Sequence, residues 1–147
     1  MANKTVMIVD NDKDFLDELS DVLSSAGYNM IDINDSMQVM DVVAKNHIDL
    51  IFLDLQMPGK NGFDLAIELK NSHQFHNIPI IAMTGFNKEE LHSLLNLCGV
   101  RKCLRKPFYP LDIISEIEEV FSSHKPVANQ EGGWSPCREQ VLLNNVT

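Results

Sequence analysis

The feature that most constrains this chain is an alternation. Short, nearly unbroken Val/Ile/Leu/Met runs take turns with segments whose apolar residues recur at helical spacing. Thr5–Val9, residues 49–53 and residues 78–83 are runs of this kind, and a strand apolar on both faces requires cover on both faces. Residues 28–33 read as a further strand and residues 100–104 as a weaker one. Phe15, Leu16, Leu19, Val22, Leu23 and Ala26 share one helical face, stopped by Gly27. Ser36 is a candidate N-cap for a helix that turns Val39, Met40, Val43 and Ala44 inward. A short helix over residues 63–70 follows the third strand. Asn87 and Glu90 can cap one that carries Leu91, Leu94 and Leu95 to Gly99. Pro110 suits the first position of a helix carrying Ile113, Ile114, Ile117, Val120 and Phe121. Five β-α units in sequence predict an α/β fold, doubly wound around an open, five-stranded parallel sheet.

These units occupy residues 1–124, the expected domain. Residues 125–147, with Pro126, Gly132, Gly133, Pro136 and the single Trp134, read as a C-terminal extension or linker. The 147-residue chain carries 12 basic and 21 acidic residues, a net charge of -9 that repels nucleic acid phosphates, so direct nucleic acid binding is not expected. Nor does any apolar run reach the ~20 residues of a membrane helix, and no signal-peptide pattern opens the chain. Cys98, Cys103 and Cys137 lack Cys-x-x-Cys spacing, which fits free thiols in a reducing cytoplasm.

In an open α/β sheet, ligands bind beyond the carboxyl ends of the strands. The residues found there are Asp10, Asn11 and Asp12 after the first run, Asp54 after the third, Thr84 after the fourth and Lys106 after the fifth. Clustered carboxylates invite a divalent cation, and hard oxygen donors suit Mg²⁺. A lysine and a hydroxyl can neutralise and hydrogen-bond phosphoryl oxygens, and aspartate is a competent nucleophile toward phosphorus.

The stretch from Ile51 through Asp54, Met57 and Pro58 to Gly62 resembles the phosphoacceptor loop of response-regulator receiver domains, the switch modules of two-component signalling. Met83-Thr84-Gly85 and Lys106-Pro107-Phe108 resemble that family's other signatures, in the same order. The resemblance covers about residues 4 to 124 and implies a flavodoxin-like (βα)5 sheet of strand order 2-1-3-4-5. It implies Asp54 as phosphoacceptor, and a Mg²⁺ site from Asp10, Asn11, Asp54 and the carbonyl of Gln56. Thr84 and Lys106 would contact the phosphoryl group, and the Lys106–Pro107 bond would be cis. A sensor histidine kinase or phosphotransfer protein would be the donor, and a downstream protein would dock on the fourth helix, fifth strand and fifth helix. Three positions depart from the family pattern. Asn11 stands where a second acid is usual, with Asp12 a candidate to reach in. Cys103 stands where a switch aromatic is usual, and Gly85 where alanine is common.

Two other readings compete. A pseudo-receiver that only docks proteins would explain Asn11 and Cys103. A phosphatase resembling the haloacid dehalogenases would use Asp10 as nucleophile and Asp12 as acid/base, but leaves the Asp54 loop without a role. Asp10-x-Asp12-x-Asp14 opens like an EF-hand loop but lacks the glycine of its turn, Phe15 standing there. His73-x-x-His76 reads as a solvated turn, Glu116, Glu118 and Glu119 as the wet face of the last helix, and Met30, Met37, Met40 and Met83 as core filler.

Overall fold

Strands Thr5–Val9 (β1), Asn29–Ile33 (β2), Leu50–Asp54 (β3), Ile80–Thr84 (β4) and Lys102–Arg105 (β5) form one all-parallel sheet in the order β2-β1-β3-β4-β5. The computed structural model describes residues 3–85, 91–100 and 102–122, and for Leu91, His92 and Leu94 only the helix backbone. The Asn87–Glu90 cap and the extension from residue 125, with Cys137, lie outside the described residues.

Helices Lys13–Ser25 (α1) and Pro110–Ser122 (α5) cover one face of the sheet, and Val39–Lys45 (α2), Gly62–Lys70 (α3) and Leu91–Leu97 (α4) cover the other. The alternation of side chains along each strand supplies both cores. On the first face Val6, Ile8, Leu50, Phe52, Ile81 and Met83 meet Leu16, Leu19, Leu23, Ile113 and Ile117. On the second, Met7, Val9, Ile51, Leu53, Ile80 and Ala82 meet Val39, Val43, Leu65, Leu69 and Leu95. Each fully buried aliphatic side chain contributes about 1.5–3 kcal/mol of transfer free energy, so the three central strands anchor the fold. β3 and β4 are buried at every position, whereas the edge strand β2 is mostly open.

The expected strands after the first begin one or two residues late, and the second and fifth do so for one reason. Tyr28 and Val100 are apolar and β-branched or aromatic, yet their N–H groups donate to Leu23 O (3.0 Å) and Leu95 O (3.2 Å). Each follows a glycine in the left-handed region, Gly27 (φ 92) and Gly99 (φ 75). This is the Schellman arrangement, in which the residue after the glycine closes the helix instead of opening a strand.

Other expectations are corrected. Ser36 is not the cap. Asp35 accepts from Met37 N–H (3.0 Å) at a 3₁₀ turn over Ser36–Gln38, and α2 starts at Val39. Ser36 is instead buried, accepting from Lys60 N–H (3.1 Å) and donating to Pro58 O (3.3 Å), which ties the loop after β2 to the loop after β3. Ala26 and Ala44 are exposed and Val42 is half-buried in place of Ala44, while Met37 lies at the surface. Glu116 does not belong to the wet face of α5: it is buried and ion-paired to the buried Lys102 of β5, with Glu119 at 3.0 Å from the same ammonium.

Candidate functional site

The sheet register builds the site. Val9 lies opposite Leu53, Asp54 opposite Met83, and Thr84 opposite Arg105. Residues one step past those pairs therefore gather at one edge. The ladder continues beyond the strands, with Asp10 N–H donating to Ile33 O (3.0 Å), Leu55 N–H to Met83 O (3.0 Å) and Lys106 N–H to Thr84 O (2.7 Å). Asp10, Asp54 and Thr84 are all buried.

Lys106 bridges the two carboxylates. Its Nζ lies 2.6 Å from Asp10 Oδ2 and 3.6 Å from Asp54 Oδ2. The ammonium also sits 5.4 Å from the centre of the Phe15 ring, which packs edge-on against Phe108 at 5.6 Å. A cation over an aromatic face gains electrostatic attraction, so α1 and the segment after β5 together steer the lysine. The Lys106–Pro107 peptide is cis.

Asp54 Oδ1 accepts from Gln56 N–H (2.9 Å). Burial pushes the Asp54 carboxyl above the usual aspartate range; the Gln56 hydrogen bond opposes this, the charge of Asp10 reinforces it, and Lys106 pulls the other way. The loop carrying Asp54 is pinned from beneath by Gly62, since a Cβ there would stand 2.5 Å from Asp54 O and 2.7 Å from Leu55 Cα. Only glycine permits α3, N-capped by Asn61 (2.9 Å to Asp64 N–H), to start this close to the end of β3.

Asp12 does not reach toward the pocket carboxylates. Its side chain N-caps α1 by accepting from Phe15 N–H (3.2 Å), and its own N–H donates to Asp10 Oδ1 (2.9 Å). Asn11 is exposed beside Asp10. Cys103 is buried on the opposite sheet face, in the core that includes Leu95 and Cys98. His73 and His76 stay in an exposed turn where His76 Nδ1 lies 3.1 Å from Ser72 O.

Sequence reasoning passed over the Gln56 side chain. Its Oε1 accepts from Gly85 N–H (2.9 Å) and from Thr84 Oγ1 (3.5 Å), closing a bridge from the loop after β3 to the end of β4. A Gln two residues after a strand-terminal Asp carries no pattern that distinguishes it from a solvated loop residue. Helical spacing marks Phe15 only as core, because its contact with Lys106 spans most of the chain.

The donor set suits a hard divalent cation. Asp10 and Asp54 are buried together, burial raises the Asp54 carboxyl and the charge of Asp10 adds to it, and one ammonium faces two carboxylates. Among the described residues no group of three or more His, Cys, Asp or Glu could hold a metal. A cation there would use the two carboxylates, carbonyl oxygens of the adjoining loops and retained water, which is how Mg²⁺ is commonly bound. Among the described residues no helix is long and apolar enough to cross a membrane.

Comparison with known proteins gives a consistent picture. The family model for the response regulator receiver domain matches residues 6–118. The transcriptional regulatory protein CpxR of Escherichia coli is 34% identical over 144 residues, spanning 95% of this chain and 60% of that protein. The phosphate regulon transcriptional regulatory protein PhoB of Pseudomonas aeruginosa is 29% identical over 126 residues, spanning 86% of this chain and 55% of that protein. The chain thus spans less than two thirds of the length of both relatives. Among solved structures, the chemotaxis protein CheY4 of Vibrio cholerae superposes with a TM-score of 0.76 at 25% identity, over 81% of this chain and 99% of its own.

Proposed function

Because the chain belongs to the response regulator receiver domain family, we propose that it accepts a phosphoryl group onto Asp54 from a histidine kinase or phosphotransfer protein, in a Mg²⁺-dependent step. The observation that carries this reading is the buried Asp54 at the strand edge, with Lys106 3.6 Å from its Oδ2 and Thr84 close by. An oxygen of the Asp54 carboxylate attacks phosphorus, the P–N bond of a donor phosphohistidine breaks, and the imidazole leaves with that electron pair. The product is an acyl phosphate. Mg²⁺, held by Asp10, Asp54, the Gln56 carbonyl and the Asn11 amide, would neutralise charge on the transferring group. Lys106, steered by Phe15, pairs with phosphoryl oxygens, and Thr84 hydrogen-bonds them. Asp54 must be ionised to attack, and burial, with Asp10, makes that ionisation harder.

The phosphorylated domain then alters its affinity for a downstream protein at the surface of α4, β5 and α5, where Leu97 and Leu111 are exposed. Cys103 leaves that surface without the aromatic side chain usual in the family, so the signal from Thr84 passes by another route. The domain over residues 1–124, followed by an extension from residue 125, works in the cytoplasm, where such donors reside.

The test is intact-mass and peptide mapping after incubation with acetyl phosphate and Mg²⁺. Wild type is expected to gain one phosphoryl group on Asp54, absent in Asp54→Asn and reduced in Asp10→Asn. An adduct on Asp10 would replace this reading with phosphatase-like chemistry. A folded wild-type protein that gains none would overturn it.

A further inference from the structure

We propose that the Gln56 carboxamide is a resting latch on the phosphoryl-oxygen site, closed against the N–H of Gly85. The inference rests on the reading of Asp54 as phosphoacceptor. Two donors at the end of β4, Gly85 N–H and Thr84 Oγ1, converge on one oxygen, Gln56 Oε1, at 2.9 and 3.5 Å. That oxygen marks a place in the pocket already supplied with donors. A phosphoryl group on Asp54 brings three oxygens that need such donors, and Lys106 approaches from the Asp10 side.

Residue 56 is bonded at both ends of this gap. Its N–H holds Asp54 Oδ1 at 2.9 Å while its side chain holds the β4 donors. A phosphoryl group attached to Asp54 would therefore compete with the carboxamide for the same hydrogen bonds. The competition favours phosphoryl, because hydrogen bonds to an anionic oxygen are roughly twice as strong as neutral ones. The carboxamide is displaced at modest cost, since Gln56 is an exposed residue with water at hand.

Gly85 gives an independent observation. Its backbone is not in the left-handed region, so conformation does not call for glycine there. A Cβ at residue 85 would stand 3.4 Å from Gln56 Oε1, at the near edge of ordinary contact. Alanine at this position would crowd the carboxamide slightly where it meets the N–H.

The latch can be tested on the full chain by amide NMR with Mg²⁺ and beryllium fluoride, a tetrahedral phosphoryl mimic. In the free protein, Gln56→Met should move the Gly85 amide resonance upfield and speed its hydrogen exchange. Gln56→Glu, which keeps an acceptor oxygen at the same reach and makes it anionic, should move that resonance the other way, downfield, and keep its exchange slow. In titrations, Gln56→Met should bind beryllium fluoride about 3- to 10-fold more tightly, the scale of one or two displaced hydrogen bonds. Gly85→Ala should move in the same direction by less. If wild type binds beryllium fluoride and Gln56→Met binds it equally, or leaves the Gly85 resonance in place, the latch is wrong and the phosphoacceptor reading stands. If neither protein binds it, the phosphoacceptor reading falls and the latch falls with it.

Discussion

Two clusters flank β5, each built from one lysine and two carboxylates, and they behave differently. Lys102 pairs with Glu116 and Glu119 of α5; Lys106 pairs with Asp10 and Asp54 at the strand edge. In the first, the lysine and Glu116 are buried while the Glu119 side chain is 45% exposed, so one carboxylate of the cluster reaches water. In the second, both carboxylates are buried and the lysine side chain is the open member at 30%. The surplus charge is then inside, and burial with Asp10 raises the Asp54 carboxyl. Similar groupings of side chains thus yield a structural tie in one place and an electrostatic demand in the other. A cation can answer that demand.

The largest expected effect comes from breaking the structural tie. Lys102→Met leaves Glu116 buried without its ammonium and should cost about 3–5 kcal/mol of stability in urea unfolding. Adding Glu116→Leu should restore most of it, because the buried charge is then gone. A single substitution that costs as little as the double would show that the pair is already solvated. Asp54→Asn should do the reverse and stabilise the fold at neutral pH, by on the order of 1 kcal/mol, since it removes a poorly compensated charge.

That gain has a pH signature. The folded-state Asp54 is raised above its unfolded value, so the native protein holds the proton more tightly. The stability this provides is fully present below the unfolded aspartate value of about 3.9 and is lost as pH rises through the folded one. The advantage of Asp54→Asn over wild type should therefore shrink to nothing on acidification, as read from urea midpoints across the acidic range. A gain that is constant with pH would mean that the substitution acts through packing. The smallest effect belongs to Glu119→Gln, expected within about 1 kcal/mol of wild type and weaker still in high salt, as befits a solvent-screened partner. A loss as large as that of Lys102→Met would contradict the division of labour between the two glutamates.

Much of this was legible beforehand, for identifiable reasons. The strand-length apolar runs of β1, β3 and β4 reflect burial on both faces, and the polar residue after each run marks the ligand edge. The burial of Glu116 has a signal in the sequence. Glu116 lies three residues after Ile113 and four before Val120, on the buried face of α5, and Lys102 interrupts an apolar strand. Tyr28 and Val100 look like strand residues because local propensity does not reveal which carbonyl an N–H will find.

The sequence by itself determined the number and kind of elements, the parallel sheet and the set of residues at its edge. These follow from periodicity and from residue type, which are local properties. Only the tertiary structure decided that Ser36 ties two loops, that Asp12 caps a helix instead of reaching into the pocket, and that Gln56 meets Thr84 and Gly85. It also decided which of two like clusters would keep its excess charge inside. Hydrogen-bond partners and burial depend on residues brought together from distant parts of the chain, and no local pattern encodes those distances.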